Sequence, residues 1–307
     1  MLAPMAGYTD KPFRAICRTF GASLTFSELI SVNAICYDNP KTTLLYERHE
    51  TDSPFCIQLF GSDPVMFVEA ARRVEDRCEC ININAGCPAK KVIKAKAGSY
   101  LLKEKTRLLA IVDALKKNIK KPLSVKMRMG FDSQSINTID FYRELQARGV
   151  DFIVIHPRLR DQFFSGKLNY EHIARVREKL TIDVVVSGGI DSPDTLKHIK
   201  QLTGCDLFMI GQAAIGAPYI FEDLIAGFKI KRNADVICNI MNNHFSAMIE
   251  FYGKKKALLA FRKFFCVYSR NFVGARHLRR SASTCEDTHE MFSIIEQLRT
   301  MPVQNRG

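Results

Sequence analysis

Residues 84 to 91 read Asn-Ala-Gly-Cys-Pro-Ala-Lys-Lys, which sets a thiol, Cys87, on a turn between a short apolar run and a group of lysines. Cysteine is usually a small buried hydrophobe. A cysteine inside a Gly-Cys-Pro turn beyond an apolar run is not in a core position, and its thiol still holds a proton at neutral pH, as a general acid must. Other polar groups sit inside or at the end of apolar runs: Gln58, Lys126 with Arg128, and His156 with Arg158. Each alone could be a satisfied core residue. Burying an amide, an ammonium and an imidazole nevertheless costs free energy unless partners are supplied, and several together point to a site. Gly188-Gly189, after Ser187, and Gly211, before Gln212, bring backbone without side chains, which lets N–H groups approach an anion such as a phosphate.

These groups are carried by eight short runs rich in Val, Ile, Leu and Phe: residues 1–5, 23–26, 55–60, 80–84, 123–128, 152–156, 183–187 and 207–211. Segments of helical period separate them, at 64–74, 106–116, 136–148, 170–179 and 193–201. Alternation of this kind predicts a parallel sheet with crossover helices. Eight units in about 225 residues match an α/β fold of the (β/α)8 TIM-barrel type, expected over residues 1–228. An open doubly wound sheet is the alternative. Barrel sites are built at the carboxyl ends of the strands, and that is where the polar groups fall. Past Gly227 the strand signal stops. Helical spacing at 235–252, 257–271 and 292–298 predicts a small all-helical domain over residues 229–307.

The chain has 307 residues, 47% of them hydrophobic and 25% charged, which excludes a disordered protein. It shows no apolar stretch of about 18 residues and no charged-then-apolar leader, so a soluble, cytoplasmic protein without membrane contact is expected. Ten cysteines without paired zinc-like spacing predict reduced thiols and no metal. With 45 Lys+Arg against 32 Asp+Glu the net charge is +13. Residues 229–307 hold 14 of the former and 6 of the latter, and nine basic residues lie between Glu250 and Glu286 with no acid among them. Phe261, Phe264, Phe265, Tyr268 and Phe272 are interleaved. For a single basic residue a solvated helix face over a Phe core is an equal reading; the whole run favours a surface for a polyanion. Lys90, Lys91, Lys94 and Lys96 form a second such run beside Cys87.

The segments Ala3-Pro4-Met5-Ala6-Gly7-Tyr8-Thr9-Asp10, Ile57-Gln58-Leu59-Phe60-Gly61, Asn84 to Val92 and Val125-Lys126-Met127-Arg128 resemble the tRNA-dihydrouridine synthase family, in its bacterial B-type branch. Ile155-His156-Pro157-Arg158, Val186 to Ile190 and Met209 to Ala214 continue the likeness in order, and Arg262-Lys263 is similar to the family's carboxyl-terminal RNA-binding region. The resemblance implies a monomeric flavoenzyme that reduces the carbon 5–carbon 6 bond of uridine in tRNA, most often near the D-loop. FMN would carry the hydride, and NADPH would re-reduce it. It implies Pro4, Met5 and Ala6 against the isoalloxazine, Gln58, Lys126 and His156 at its polar edge, and Ser187, Gly188, Gly189, Gly211 and Gln212 about the phosphate. Cys87 would give the proton, Asn84, Arg128 and Arg158 would hold the flipped uracil, and Lys90, Lys91, Arg262 and Lys263 would hold RNA. Gln212 and Asn82 stand where the family usually has arginine and aspartate, the first of which implies a weaker hold on FMN, and the chain begins inside the first strand, without the family's short hairpin. Two other readings are weighed: a flavin barrel acting on a free pyrimidine, and an RNA-binding protein that has lost the cofactor.

Overall fold

In the computed structural model, which describes residues 1–304, seven strands pair in parallel and in chain order. They are β1 (Thr25–Ser31), β2 (Phe55–Phe60), β3 (Cys80–Ala85), β4 (Leu123–Gly130), β5 (Phe152–Leu159), β6 (Asp183–Ser187) and β7 (Leu207–Met209). Parallel strands covered on both faces read as continuous apolar runs, and every residue of β3 is buried, as is all of β2 except Phe60. The pairing register sets Asn82 beside Ser124, Asn84 beside Lys126, and Arg128 beside His156. Side chains that the sequence scatters over about 75 residues thereby share neighbouring positions at one end of the sheet, since residues paired across strands stand side by side.

One expected strand is different. Residues 1–5 make only a single bridge, Leu2 with Ile210, yet they still close the sheet. Leu2 N donates to Leu24 O at 2.8 Å on one side, and Ala3 N donates to Ile210 O at 2.8 Å on the other. Pairing cannot continue because Pro4 has no N–H, and Met5 O turns inward to accept from Tyr8 N and Thr9 N. The molecule is a TIM-type barrel whose eighth staff is this short segment.

The crossover helices follow their local signals. Asp63 caps Pro64–Val74 and Ser192 forms a capping box on Pro193–Thr203, each with proline in the first turn. Helix Tyr170–Lys179 falls where the periodicity put it. The helix expected from 136 begins only at Ile139, because Thr138 caps it and Ile136 bridges to Gly130.

Beyond residue 228 the chain forms Ala234–Tyr252, Lys254–Tyr268, Arg276–Thr284 and Thr288–Gln297, of which the third had no clear signal. Phe261, Phe264, Phe265, Tyr268 and Phe272 are all buried, so the interleaved aromatics are the core of this region, and its cations cover them. That core runs on into the barrel: Phe13, on helix Lys11–Thr19, lies 5.4 Å from Phe264 and 5.5 Å from His244. Among the described residues no helix is long and apolar enough to cross a membrane, and all ten cysteines are unpaired.

Candidate active site

A cavity of about 530 Å³ opens at the carboxyl end of the sheet. It is lined by Pro4, Met5 and Ala6 from the closing segment, Gln58 from β2, and Asn84 and Cys87 at the end of β3. Lys126 and Arg128 come from β4, His156 and Arg158 from β5, Ser187, Gly188 and Gly189 from the end of β6, and Gly211 and Gln212 from beyond β7. Four expected site residues are elsewhere. Lys90 and Lys91 are exposed on the helix Lys90–Lys94 just past the Cys87 turn. Arg262 is half-buried and donates to Cys285 O at 2.6 Å, while Lys263 reaches Gly7 O of the closing segment.

A chain of side-chain hydrogen bonds crosses the buried interior and ends at the cysteine. Asn82 donates to Ser124 Oγ (2.8 Å), Gln58 Nε2 donates to Asn82 Oδ1 (2.6 Å), and Asn84 Nδ2 donates to Gln58 Oε1 (2.8 Å). Asn84 Oδ1 then accepts from the backbone N–H of both Gly86 (3.1 Å) and Cys87 (2.9 Å). The carbonyl of Cys87 accepts from Ser99 N at 3.1 Å and Ser99 Oγ at 2.9 Å. Ser99 comes this close because Gly98 precedes it in a left-handed conformation, where an added Cβ would lie 2.9 Å from Cys87 O. Arg128, 3% exposed, donates to Gly86 O (3.2 Å) and Leu159 O (2.7 Å), and so ties the same turn to the end of β5.

Burial pushes the Cys87 thiol above its ordinary value, with the charges of Arg128 and Lys126 pulling it back in part. The thiol is therefore protonated at neutral pH. Lys126 is brought down to about 8, first by burial and then by Arg128. His156 is pushed down to about 2 by burial and by Lys126, Arg128 and Arg158, so it is neutral. Its Nδ1 is buried with no hydrogen-bond partner. Gly188 and Gly189 both have positive φ, and a Cβ on Gly188 would lie 2.8 Å from His156 Nε2. Side chains are thus excluded from this stretch by geometry, leaving open backbone beside cationic walls. The arrangement can hold an anionic, partly planar molecule, stabilise negative charge on it through Lys126, and deliver a proton from Cys87.

The sequence reading missed several contributors. Tyr8 and Phe164 line the cavity; Phe164, 58% exposed, lies 5.5 Å from the Arg128 guanidinium. Ser99 is a hydroxyl in the short 3-10 helix Gly98–Leu102 and Ser124 one in a strand, and nothing local in the chain marks either as part of a site. Asn82 stands out in the sequence only as a departure from the family's usual aspartate, and its use, carrying the amide chain from Gln58 to Ser124, follows only from the register.

Residues 1–304 match the family model described as Dihydrouridine synthase (Dus). The chain is 32% identical over 303 residues to tRNA-dihydrouridine synthase B of Pseudomonas aeruginosa, covering 97% of this chain and 91% of that protein. It is 33% identical over 301 residues to the protein of the same name from Pasteurella multocida, covering 96% and 91%. A probable tRNA-dihydrouridine synthase of Helicobacter pylori is 34% identical over 305 residues, covering 96% and 90%. Among solved structures, histamine dehydrogenase from Rhizobium sp. 4-9 has a TM-score of 0.58 at 11% identity, over 97% of this chain and 62% of that one. Morphinone reductase has a TM-score of 0.52 at 11% identity, over 77% and 87%. These two likenesses concern the barrel fold alone. A family match that runs from residue 1 to residue 304, over a barrel whose mouth presents the Cys87 turn, shows that this chain belongs to the dihydrouridine synthase family.

Proposed function

We propose that this chain is a tRNA-dihydrouridine synthase that reduces the carbon 5–carbon 6 double bond of a uridine, using FMN, with NADPH as the reductant of the flavin. The observation that carries the reading is a protonated thiol fixed on a turn at the rim of the cavity that also holds the half-buried Lys126 and the side-chain-free stretch Gly188-Gly189. The residues suit FMN. The unpartnered Nδ1 of His156 is a group in need of a hydrogen-bonding neighbour, and the Gly188-Gly189 and Gly211 backbone offers N–H groups to a phosphate. Gln212 contributes an amide there and no charge. FMN held there would, once reduced, supply hydride chemistry toward carbon 6.

The remaining chemistry belongs to the chain. Cys87 Sγ–H breaks as its proton goes to carbon 5, and the thiolate left behind is stabilised by Lys126 and Arg128 until solvent returns a proton. Lys126 steadies negative charge on the neighbouring ring system. Gln58 and Asn84 hold the site's shape through the amide chain, and Arg158 bonds Gly166 O at 2.5 Å, which shapes the loop over the cavity.

A uridine in a folded RNA must leave its stack to enter the cavity, so the rest of the molecule needs a grip on its phosphates. Lys90, Lys91, Lys94 and Lys96 are exposed beside the turn, and Lys254, Lys255, Lys256, Arg270, Arg276 and Arg280 are exposed on the helical region, residues 229–307. Together they support tRNA as the partner; the D-loop as the part approached, a monomeric state and action in the cytoplasm are carried from the family likeness. The test maps dihydrouridine in RNA from cells lacking the protein and from the same cells given the wild type or Cys87→Ala. The wild type is expected to restore the modification and Cys87→Ala to leave it below about a hundredth, while NADPH still reduces the flavin of the purified variant. Full modification by Cys87→Ala would remove the thiol from the mechanism, and no dihydrouridine in any strain would overturn the activity.

A further inference from the structure

The closing segment touches the cavity with one side and the helical region with the other. Met5, Ala6 and Tyr8 line the cavity. The turn behind them is held internally by Thr9, whose Oγ1 accepts from Met5 N at 2.9 Å, and by Tyr8 N and Thr9 N donating to Met5 O at 3.0 and 3.1 Å. Its outer side is gripped at three points. Gly7 N donates to Glu28 Oε2 at 2.5 Å, Gly7 O accepts from Lys263 Nζ, and Asp10 Oδ2 accepts from Tyr252 Oη at 3.0 Å. Two of these three partners belong to the helical region: Tyr252 ends one helix, and Lys263 lies on the next. Lys263 Nζ also stands 4.4 Å over the Tyr8 ring, which packs edge-on against Phe264 at 5.4 Å. The neighbouring cations Lys254, Lys255 and Lys256 are exposed, but Lys263 is half-buried and its ammonium is turned to the barrel.

We propose that Lys263 is a positioning residue: through the carbonyl of Gly7 it holds the Met5–Thr9 turn, and so ties the cavity wall to the region that grips RNA. An RNA seated on the helical region then acts on the same helix that fixes Met5 and Ala6. This replaces a phosphate contact as the role of Lys263. It rests on the proposed function only for the choice of tRNA as substrate.

The test compares the full-length wild type with Lys263→Met, which keeps the stem over Tyr8 and removes the donor, and with Lys263→Arg, which restores a cation and donors. Amide hydrogen exchange of the Tyr8 and Thr9 N–H groups is measured without flavin or RNA, since protection there reports the local stability of the turn. Exchange is expected to rise about tenfold in Lys263→Met and to return most of the way in Lys263→Arg. Binding of tRNA is expected to stay within about twofold, and kcat to fall about tenfold with KM for tRNA unchanged. Unchanged exchange with tRNA binding weakened tenfold would overturn the proposal in favour of direct RNA contact, and unchanged exchange and kcat would overturn it outright. If Lys263→Met does not fold, Tyr252→Phe removes the other grip from the helical region and is expected to raise exchange about threefold; no rise there overturns the proposal. An inactive wild type would fail the proposed function alone, because the exchange measurement needs no substrate.

Discussion

Asn84 is where the structure makes its sharpest functional demand. Replacing it with alanine removes one donor, to Gln58, and the acceptor shared by the backbone N–H groups of Gly86 and Cys87. Asn84 is 7% exposed, so water replaces the lost acceptor poorly. Leaving a donor unpaired away from water costs about 1–3 kcal/mol, and the two here, on half-buried residues, give at most roughly 2–6 kcal/mol. At about 2 cal/mol/K of unfolding entropy per residue, a chain of 307 residues loses up to roughly 3–9 °C in Tm. The turn does not detach, because Ser99 still holds Cys87 O and Arg128 still holds Gly86 O. It shifts instead, and a displacement of about 1 Å at a reacting group costs on the order of 100-fold in rate. Single-turnover formation of dihydrouridine by pre-reduced enzyme is the assay, with tRNA affinity measured in parallel. The expected result is a rate down about 100-fold at unchanged affinity. Asn84→Asp keeps the acceptor oxygens, and the Gln58 and Asn82 amides can reverse to serve them, since Ser124 Oγ can donate as well as accept; it is expected to recover most of the rate. A rate for Asn84→Ala within threefold of wild type would refute the turn-holding role. So would an Asn84→Asp variant as slow as alanine, since the amide N–H would then be what matters.

Two pH effects follow from burial. Lys126 loses its proton near pH 8 in the folded chain against about 10.4 in an unfolded one, so kcat/KM is expected to fall with unit slope above pH 8, and a profile flat to pH 9.5 would rule out a need for the ammonium. The same shift is destabilising while both states are charged, so this group's contribution to stability improves as pH rises from about 8 to 10.4. His244 has the same sign at lower pH: burial pushes it to about 3, its Nδ1 lies 3.2 Å from Tyr268 Oη and its Nε2 has no partner. The unfolded state takes up the proton first, near pH 6.5, so the stability associated with neutral His244 is full above that pH and is lost as pH falls toward 3, by about 2 kcal/mol at pH 5. His244→Phe is expected to show a smaller drop in Tm between pH 7 and 5 than the wild type; equal drops would show that His244 is not the source.

How much of this was legible beforehand depended on the range of the interaction. The alternation of apolar runs with helical segments predicts a barrel because each signal lies within a few residues, in the pattern of burial along a strand or in caps such as Asp63 and Ser192. Gln58, Asn84, Cys87, Lys126, His156 and the glycines after the later strands were nameable because they fall in or just beyond apolar runs, toward the end where the fold places chemistry. Pro4, Met5 and Ala6 are assigned through the family resemblance. Glycines such as Gly188 were informative because their lack of a side chain is itself the requirement.

Residue types and local spacing therefore determined the barrel, the thiol and the excess of cations. Which polar group meets which was decided by register and docking, which link positions far apart in the chain. Only pairing of β2, β3 and β4 makes Ser124, Asn82, Gln58 and Asn84 one chain of hydrogen bonds ending at Cys87. Only packing of the helical region on helix Lys11–Thr19 turns Lys263 from one more member of a basic run into a clamp on Gly7. The physical reason is the same in both cases: a buried amide or ammonium is defined by the partner that replaces water, and that partner lies at a distance in sequence that no local pattern encodes.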